Sequence, residues 1–193
     1  MRWIEKSIGS IARQADVSEE DLAIVNYGFV QGLKSVTGIL LSVLLGILMR
    51  IPLSCILFLG FYISLRIYAG GYHAESEKQC AVLSAVSIAA AYAWIKWGSG
   101  TAAAMAFTGA ACTAVLFVLS PVDNPGHSLE AEEKRYYRRI SYFISAGAAA
   151  AGAVSLCLGW YQAARSMLAA LALTACSVTA GYIKYKRKIA VNS

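Results

Sequence analysis

A chain of 193 residues that is 58% hydrophobic, with a mean hydropathy of +0.57, is too apolar for an ordinary soluble domain. Its formal charge of +6 is the excess of 17 lysines and arginines over 11 aspartates and glutamates, and the basic residues sit beside the ends of apolar segments. Membrane orientation and contact with anionic lipid explain that placement more simply than nucleic acid does, so no nucleic-acid partner is expected.

Residues 1–16 put Trp3, Ile4, Ile8, Ile11, Ala12 and Ala15 on one helical face. That pattern suits an amphipathic helix lying in the membrane interface. Charges scattered through Met1–Lys34 leave no apolar core for a secretory signal, so none is expected. Ser18 with Asp21 resembles a capping box, which predicts a second helix running through Leu22, Val25, Phe29 and Leu33 toward the first span. Packed helices with no catalytic role are the simpler reading of both pieces.

Six apolar stretches follow: Leu33–Met49, Ile51–Leu65, Ala81–Ile95, Thr101–Leu119, Ile140–Trp160 and Ser166–Ile183. Several fall short of the ~20 residues that cross a bilayer comfortably, and flanking aromatic and basic residues extend them. Fusing the first two would put Arg50 mid-membrane, at a cost of at least ~2.5 kcal/mol. A tight turn at Arg50, with Pro52 in the first turn of the next helix, avoids that. The predicted fold is all-α: a polytopic membrane bundle of six transmembrane helices preceded by an amphipathic N-terminal helical region. Residues 1–193 are read as a single domain, divided into the amphipathic region 1–32, the bundle 33–183 and a basic tail 184–193.

With the N-terminus inside, the inner segments carry fourteen basic residues (Arg2, Lys6, Arg13, Lys34, Arg66, Lys78, Lys134, Arg135, Arg138, Arg139, Lys184, Lys186, Arg187 and Lys188). The outer turns carry only Arg50, Lys96 and Arg165. The positive-inside rule then places both termini and the segment around residues 73–80 on the cytoplasmic side of a cell membrane. Trp94, Trp97, Trp160 and Tyr161 read as interfacial anchors at the outer ends. Ser120–Arg139 is the largest inner connection: Pro121, Pro125 and Gly126 keep its start non-helical, and Glu130–Arg139 reads as a surface helix leading into the fifth span.

Polar, reactive chemistry gathers in one place, Leu65–Cys80, where His73 and Cys80 follow the Gly70–Gly71 pair. An imidazole that deprotonates a thiol and later protonates a leaving amine is the minimum for nucleophilic acyl chemistry. Cys55, Cys112, Cys157 and Cys176 lie within apolar spans and act as small hydrophobes, whereas Cys80 follows the polar run Glu75–Gln79. With no CxxC pair and a reducing compartment expected, a disulfide framework is disfavoured. In a straight helix His73 and Cys80 would share a face yet lie roughly 10.5 Å apart along the axis. A dyad therefore requires a break between them, for which the glycines and the polar run supply backbone freedom. On spacing alone, a histidine at the interface and a cysteine packed into the third span is the commoner arrangement. Two other readings stay open at this point. His73, Glu75 and Cys80 could assemble three metal ligands, but no fourth is apparent and no metal or other cofactor is expected. A non-enzymatic small membrane transporter or channel component is the alternative function, although span cores without ionisable residues argue against a solute pathway.

The run Arg66-Ile-Tyr-Ala-Gly-Gly-Tyr-His73, with Cys80 seven residues on, resembles the signature of the accessory gene regulator B family. Asn26-Tyr27-Gly28 ahead of the first span and Pro121-Val122-Asp123 after the fourth are looser matches. The loop after Asp123 carries fewer prolines and basic residues than is usual in the family, which departs from its pattern. The resemblance implies a membrane cysteine endopeptidase that cleaves a quorum-sensing precursor peptide of the accessory gene regulator D type on its C-terminal side. It implies Cys80 as nucleophile, His73 as general base and then acid, a thioester acyl-enzyme, and closure of a thiolactone or lactone ring. It also implies a homodimer. Supporting substrate-binding roles are expected for Arg66, Gly70, Gly71 and Asp123. Arg66 either holds an acidic tail or snorkels at a span end, backbone N–H groups near Gly70–Gly71 or Gln79 are candidate oxyanion donors, and Asp123 either orients His73 or is a turn residue. His127 is a further base with no nucleophile paired to it.

Overall fold

The computed structural model describes residues 19–72, 76–122 and 130–192. The described chain is helical, in six elements: α1 (Glu19–Leu48), α2 (Pro52–Ala69), α3 (Glu77–Trp97), α4 (Ala102–Leu119), α5 (Ala131–Cys157) and α6 (Tyr161–Asn192). It divides into two compact units, Met1–Leu41 and Ser42–Ser193. The amphipathic helix expected over residues 1–16 lies outside the described residues.

α2 to α6 are each long and apolar enough to cross a membrane, so the protein is a helical membrane bundle. α1 is continuous from Glu19 and takes in both the second N-terminal helix and the first apolar stretch. Its apolar part, Ser35–Leu48, is shorter than these five, so among the described residues five helices rather than the expected six have the length and hydropathy to cross. Gln31 and Lys34 bound that run on one side and Arg50 on the other. The expected turn is present: Arg50 takes φ 58°, Ile51 N–H donates to Gly46 O at 2.9 Å, and Pro52 opens α2 where its missing N–H costs nothing. At its far end, α6 carries on through Lys184, Lys186, Arg187 and Lys188, where the sequence suggested only a tail. No glycine or proline follows Gly181 to stop it, and lysine and arginine are good helix formers.

Within Ser42–Ser193, α6 is the central helix. Its span is 56% buried, against 17–33% for the other four, because Ala164, Ser166, Ala169, Ala170, Thr174, Ala175 and Gly181 let neighbours approach on several sides. One core cluster joins Cys55, Phe58 and Leu59 of α2 to Tyr92 and Ile95 of α3 and to Ala169 and Ala170 of α6. A second joins Leu65 and Ala69 of α2, Leu116 of α4, Ala148 of α5, and Leu171, Ala175 and Val178 of α6. Several buried hydroxyls are satisfied within their own helices, as Ser166 to Gln162 O at 2.9 Å and Thr174 to Ala170 O at 2.8 Å, and Ser120 Oγ instead donates across to Ser141 Oγ of α5 at 2.9 Å.

The helices alternate in direction. One end of the bundle therefore collects the C-termini of α2 and α4, the N-termini of α3 and α5, and the last turns of α6. It is here that Arg66, Lys78, Arg135, Arg138, Arg139, Lys184 and Lys186 lie. The opposite end carries Lys96 and Arg165, and Arg165 Nη1 donates to Gly98 O there.

Candidate functional site

Residues 65–72 of the polar segment that the sequence singled out lie at the basic end, held between α2, the end of α4 and α6. α2 stops at Ala69 because the next two residues adopt positive φ: Gly70 at φ 73°, ψ −147° and Gly71 at φ 142°. Both glycines are also required by close approach. A Cβ on Gly70 would lie 2.6 Å from Val122 O, and one on Gly71 would overlap the Arg66 guanidinium and lie 2.6 Å from Ser177 Oγ. Val122, just past the end of α4, pairs with Gly70 in a parallel bridge and donates its N–H to Ala69 O at 3.1 Å.

Arg66, in the last turn of α2, organises the segment. Its Nη1 donates to Gly70 O at 2.9 Å and to Ser177 Oγ at 2.7 Å, and its Nη2 donates to Tyr72 O at 2.6 Å. A planar guanidinium can serve three acceptors in this way, because its N–H groups form a fixed fork. From the other side, the Tyr72 N–H donates to Ser177 O at 2.9 Å and to Ser177 Oγ at 3.1 Å. Lys184 Nζ stands 5.0 Å from the centroid of the Tyr72 ring. Gly181, one turn beyond Ser177 on α6, packs directly under the segment: a Cβ there would meet Gly71 C at 2.9 Å and Tyr72 N at 3.0 Å.

Beyond Tyr72 the chain reaches Ser76, whose backbone is extended (φ −114°, ψ 143°) and whose hydroxyl caps α3 by accepting from Gln79 N at 3.2 Å. Cys80 is the fourth residue of α3. It donates its backbone N–H to Ser76 O at 3.1 Å and is half-buried. A helix running unbroken from residue 73 to residue 80 is thus ruled out by the extended backbone at Ser76. The first turn of a helix directs N–H groups and partial positive charge outward, which suits developing negative charge nearby. The Gln79 N–H, one of the oxyanion donors considered from sequence, is engaged by Ser76.

Of the residues expected at the site, Arg66, Gly70 and Gly71 come together, and Cys80 lies in the first turn of the helix that leaves from the same end. His73, Glu75, Asp123 and His127 lie outside the described residues, as do the metal grouping built on His73 and Glu75 and the loop after Val122. Ser177 and Gly181 were not anticipated. They lie more than a hundred positions along the chain from Arg66 and Tyr72, and a glycine inside the last helix was their one sequence signal, since glycine costs roughly 1 kcal/mol there relative to alanine.

The remaining cysteines have other surroundings. Cys55 is buried, with Sγ 2.8 Å from Tyr92 Oη, while Cys157 and Cys176 are exposed on the flanks of apolar helices and Cys112 is half-buried in α4. A family model described as Accessory gene regulator B matches residues 4–180 of the chain. No curated protein and no solved structure matches it.

Proposed function

Because the chain belongs to the accessory gene regulator B family, whose members take part in processing quorum-sensing peptides, we propose that it is a membrane cysteine endopeptidase with Cys80 as nucleophile and His73 as its base. One observation carries the reading: the matched region contains both residues, and Cys80 stands half-buried in the first turn of α3, behind the break in helix that a dyad needs. None of the other four cysteines lies beside a polar segment of this kind.

The chemistry runs in two steps. His73 takes the proton of the Cys80 thiol, and the sulfur attacks the carbonyl carbon at the cleavage site of the precursor. As the C–N bond breaks, the proton passes to the departing amine of the C-terminal tail, leaving a thioester on Cys80. A thiol or hydroxyl of the retained peptide then attacks that thioester, closes a thiolactone or lactone ring and returns the Cys80 thiol. Thioester exchange is close to balanced, so loss of the tail and exclusion of water by the surrounding helices favour the ring.

The basic end of the bundle would face the cytoplasm under the positive-inside rule, and its lysines and arginines would meet anionic lipid and an acidic peptide tail. Asp123, which follows Val122 directly, is proposed to help orient substrate or His73. Gly70 and Gly71 are proposed to shape the backbone beside the bound peptide, and a homodimer is the proposed assembly.

The test is mass spectrometry of a candidate precursor, co-expressed with the wild-type protein or with Cys80→Ala. A tail-less peptide with the wild type alone establishes Cys-dependent cleavage, and a further loss of one water establishes ring closure. Equal processing with Cys80→Ala removes the proposal.

A further inference from the structure

Among the described residues at the basic end, the Gly70–Tyr72 backbone is held by several hydrogen bonds. Tyr72 is held at both of its peptide groups: its N–H by the carbonyl and hydroxyl of Ser177, its carbonyl by Arg66 Nη2. The peptide plane that contains the Tyr72 carbonyl also contains the nitrogen of His73. Gly181 supports the same point from below, with no room for a methyl group against Gly71 and Tyr72.

We infer that Ser177 and Gly181 of α6 are positioning residues, forming a seat that fixes the Gly70–Tyr72 backbone and through it the departure point of the His73 imidazole. The inference rests on the reading of His73 and Cys80 as a dyad. It adds that α6, far away in sequence and carrying no catalytic group, sets the geometry of that dyad. Two physical facts carry it. Gly181 has no room for a Cβ against Gly71 and Tyr72, whereas Gly60 and Gly147, also inside membrane helices, have open space there. A serine in a membrane helix can satisfy its hydroxyl on the preceding turn, as Ser166 and Thr174 do, yet Ser177 Oγ accepts from both Arg66 and Tyr72.

The experiment measures alkylation of Cys80 by iodoacetamide as a function of pH, read by mass spectrometry of the Cys80 peptide, in membranes holding the full chain. Processing of the precursor is followed in parallel. Gly181→Ala strengthens α6 as a helix while forcing Gly71 and Tyr72 off it, and misplacements of well under 1 Å to about 1 Å cost up to about 100-fold in rate. Its processing should fall about tenfold or more, and its alkylation profile should move onto that of His73→Ala. Ser177→Ala removes only one oxygen and leaves Tyr72 N–H bonded to Ser177 O, so a loss of about 3–10-fold with the same displaced profile is expected. Gly147→Ala, a glycine of α5 with open space at its Cβ, should match the wild type. Wild-type profiles and rates for both α6 variants, with a displaced profile for His73→Ala, overturn the positioning role and leave the dyad standing. A wild-type profile for His73→Ala overturns the dyad, and the positioning role with it. Should Gly181→Ala fail to reach the membrane, Ser177→Ala decides by the same two readouts.

Discussion

Replacing Arg66 by lysine separates a geometric role from a merely charged one. The guanidinium makes hydrogen bonds of 2.9, 2.7 and 2.6 Å to Gly70 O, Ser177 Oγ and Tyr72 O. Lysine keeps the charge but presents a single ammonium, whose three N–H groups spread tetrahedrally and cannot span the acceptors that Nη1 and Nη2 hold in one plane. At least one charge-assisted bond is then lost, worth about 1.5–3 kcal/mol when protected from water. Arg66 is only half-buried, and water recovers part of that, so the net cost is about 1–2 kcal/mol. If the cost falls on the productive arrangement, processing should slow roughly 5- to 30-fold, at ~1.4 kcal/mol per factor of ten. The assay is the initial rate of precursor processing, normalised to protein in the membrane, for wild type, Arg66→Lys and Arg66→Met. Both variants should be slow. Should Arg66→Lys process within about threefold of wild type while Arg66→Met is inactive, the reasoning is refuted, and Arg66 acts as a point charge for an acidic tail or a lipid headgroup.

Three further outcomes follow from the same geometry. Cys80→Ala and His73→Ala should each abolish processing while membrane levels stay at wild type; full processing by either removes that residue from the chemistry. Gly70→Ala places a Cβ at φ 73° and 2.6 Å from Val122 O, so it should destabilise the folded chain by about 1–3 kcal/mol in detergent unfolding, whereas Gly60→Ala, with open space at its Cβ, should be neutral or slightly stabilising. Equal stability for the two would mean that the approach of Gly70 to Val122 is unimportant. Tyr92→Phe removes the phenol oxygen 2.8 Å from Cys55 Sγ and should lower stability by about 0.5–1.5 kcal/mol, the usual scale for an interhelical hydrogen bond in a membrane. An unchanged or raised stability in the same titration would show that this contact contributes nothing.

Much of the architecture could be read from local chemistry. Runs of apolar side chains mark the membrane helices. Arg50 and Pro52 mark a turn, since a guanidinium is costly at mid-membrane and proline, lacking an N–H, fits best in the first turn of a helix. Gly70–Gly71 followed by Ser76 marks the interruption ahead of Cys80, because positive φ and helix capping are decided by the residue itself and its immediate neighbours. The same locality explains where the reading stopped short: the basic end of α6 looks like a solvated tail in composition but has nothing in it to end a helix.

What the sequence by itself determined, then, is a membrane chain with one polar, cysteine-bearing interruption, because hydropathy, helix breaking and capping act over a few residues. Only the tertiary structure decided that α6 stands at the centre, that Val122 borders Gly70, and that Arg66, Ser177 and Gly181 close on the backbone of Tyr72. Those contacts join residues from about fifty to more than a hundred positions apart, and small side chains permit them without specifying them. A serine or glycine in an apolar helix fits many neighbours, and which neighbour it meets is settled by how all the helices pack at once.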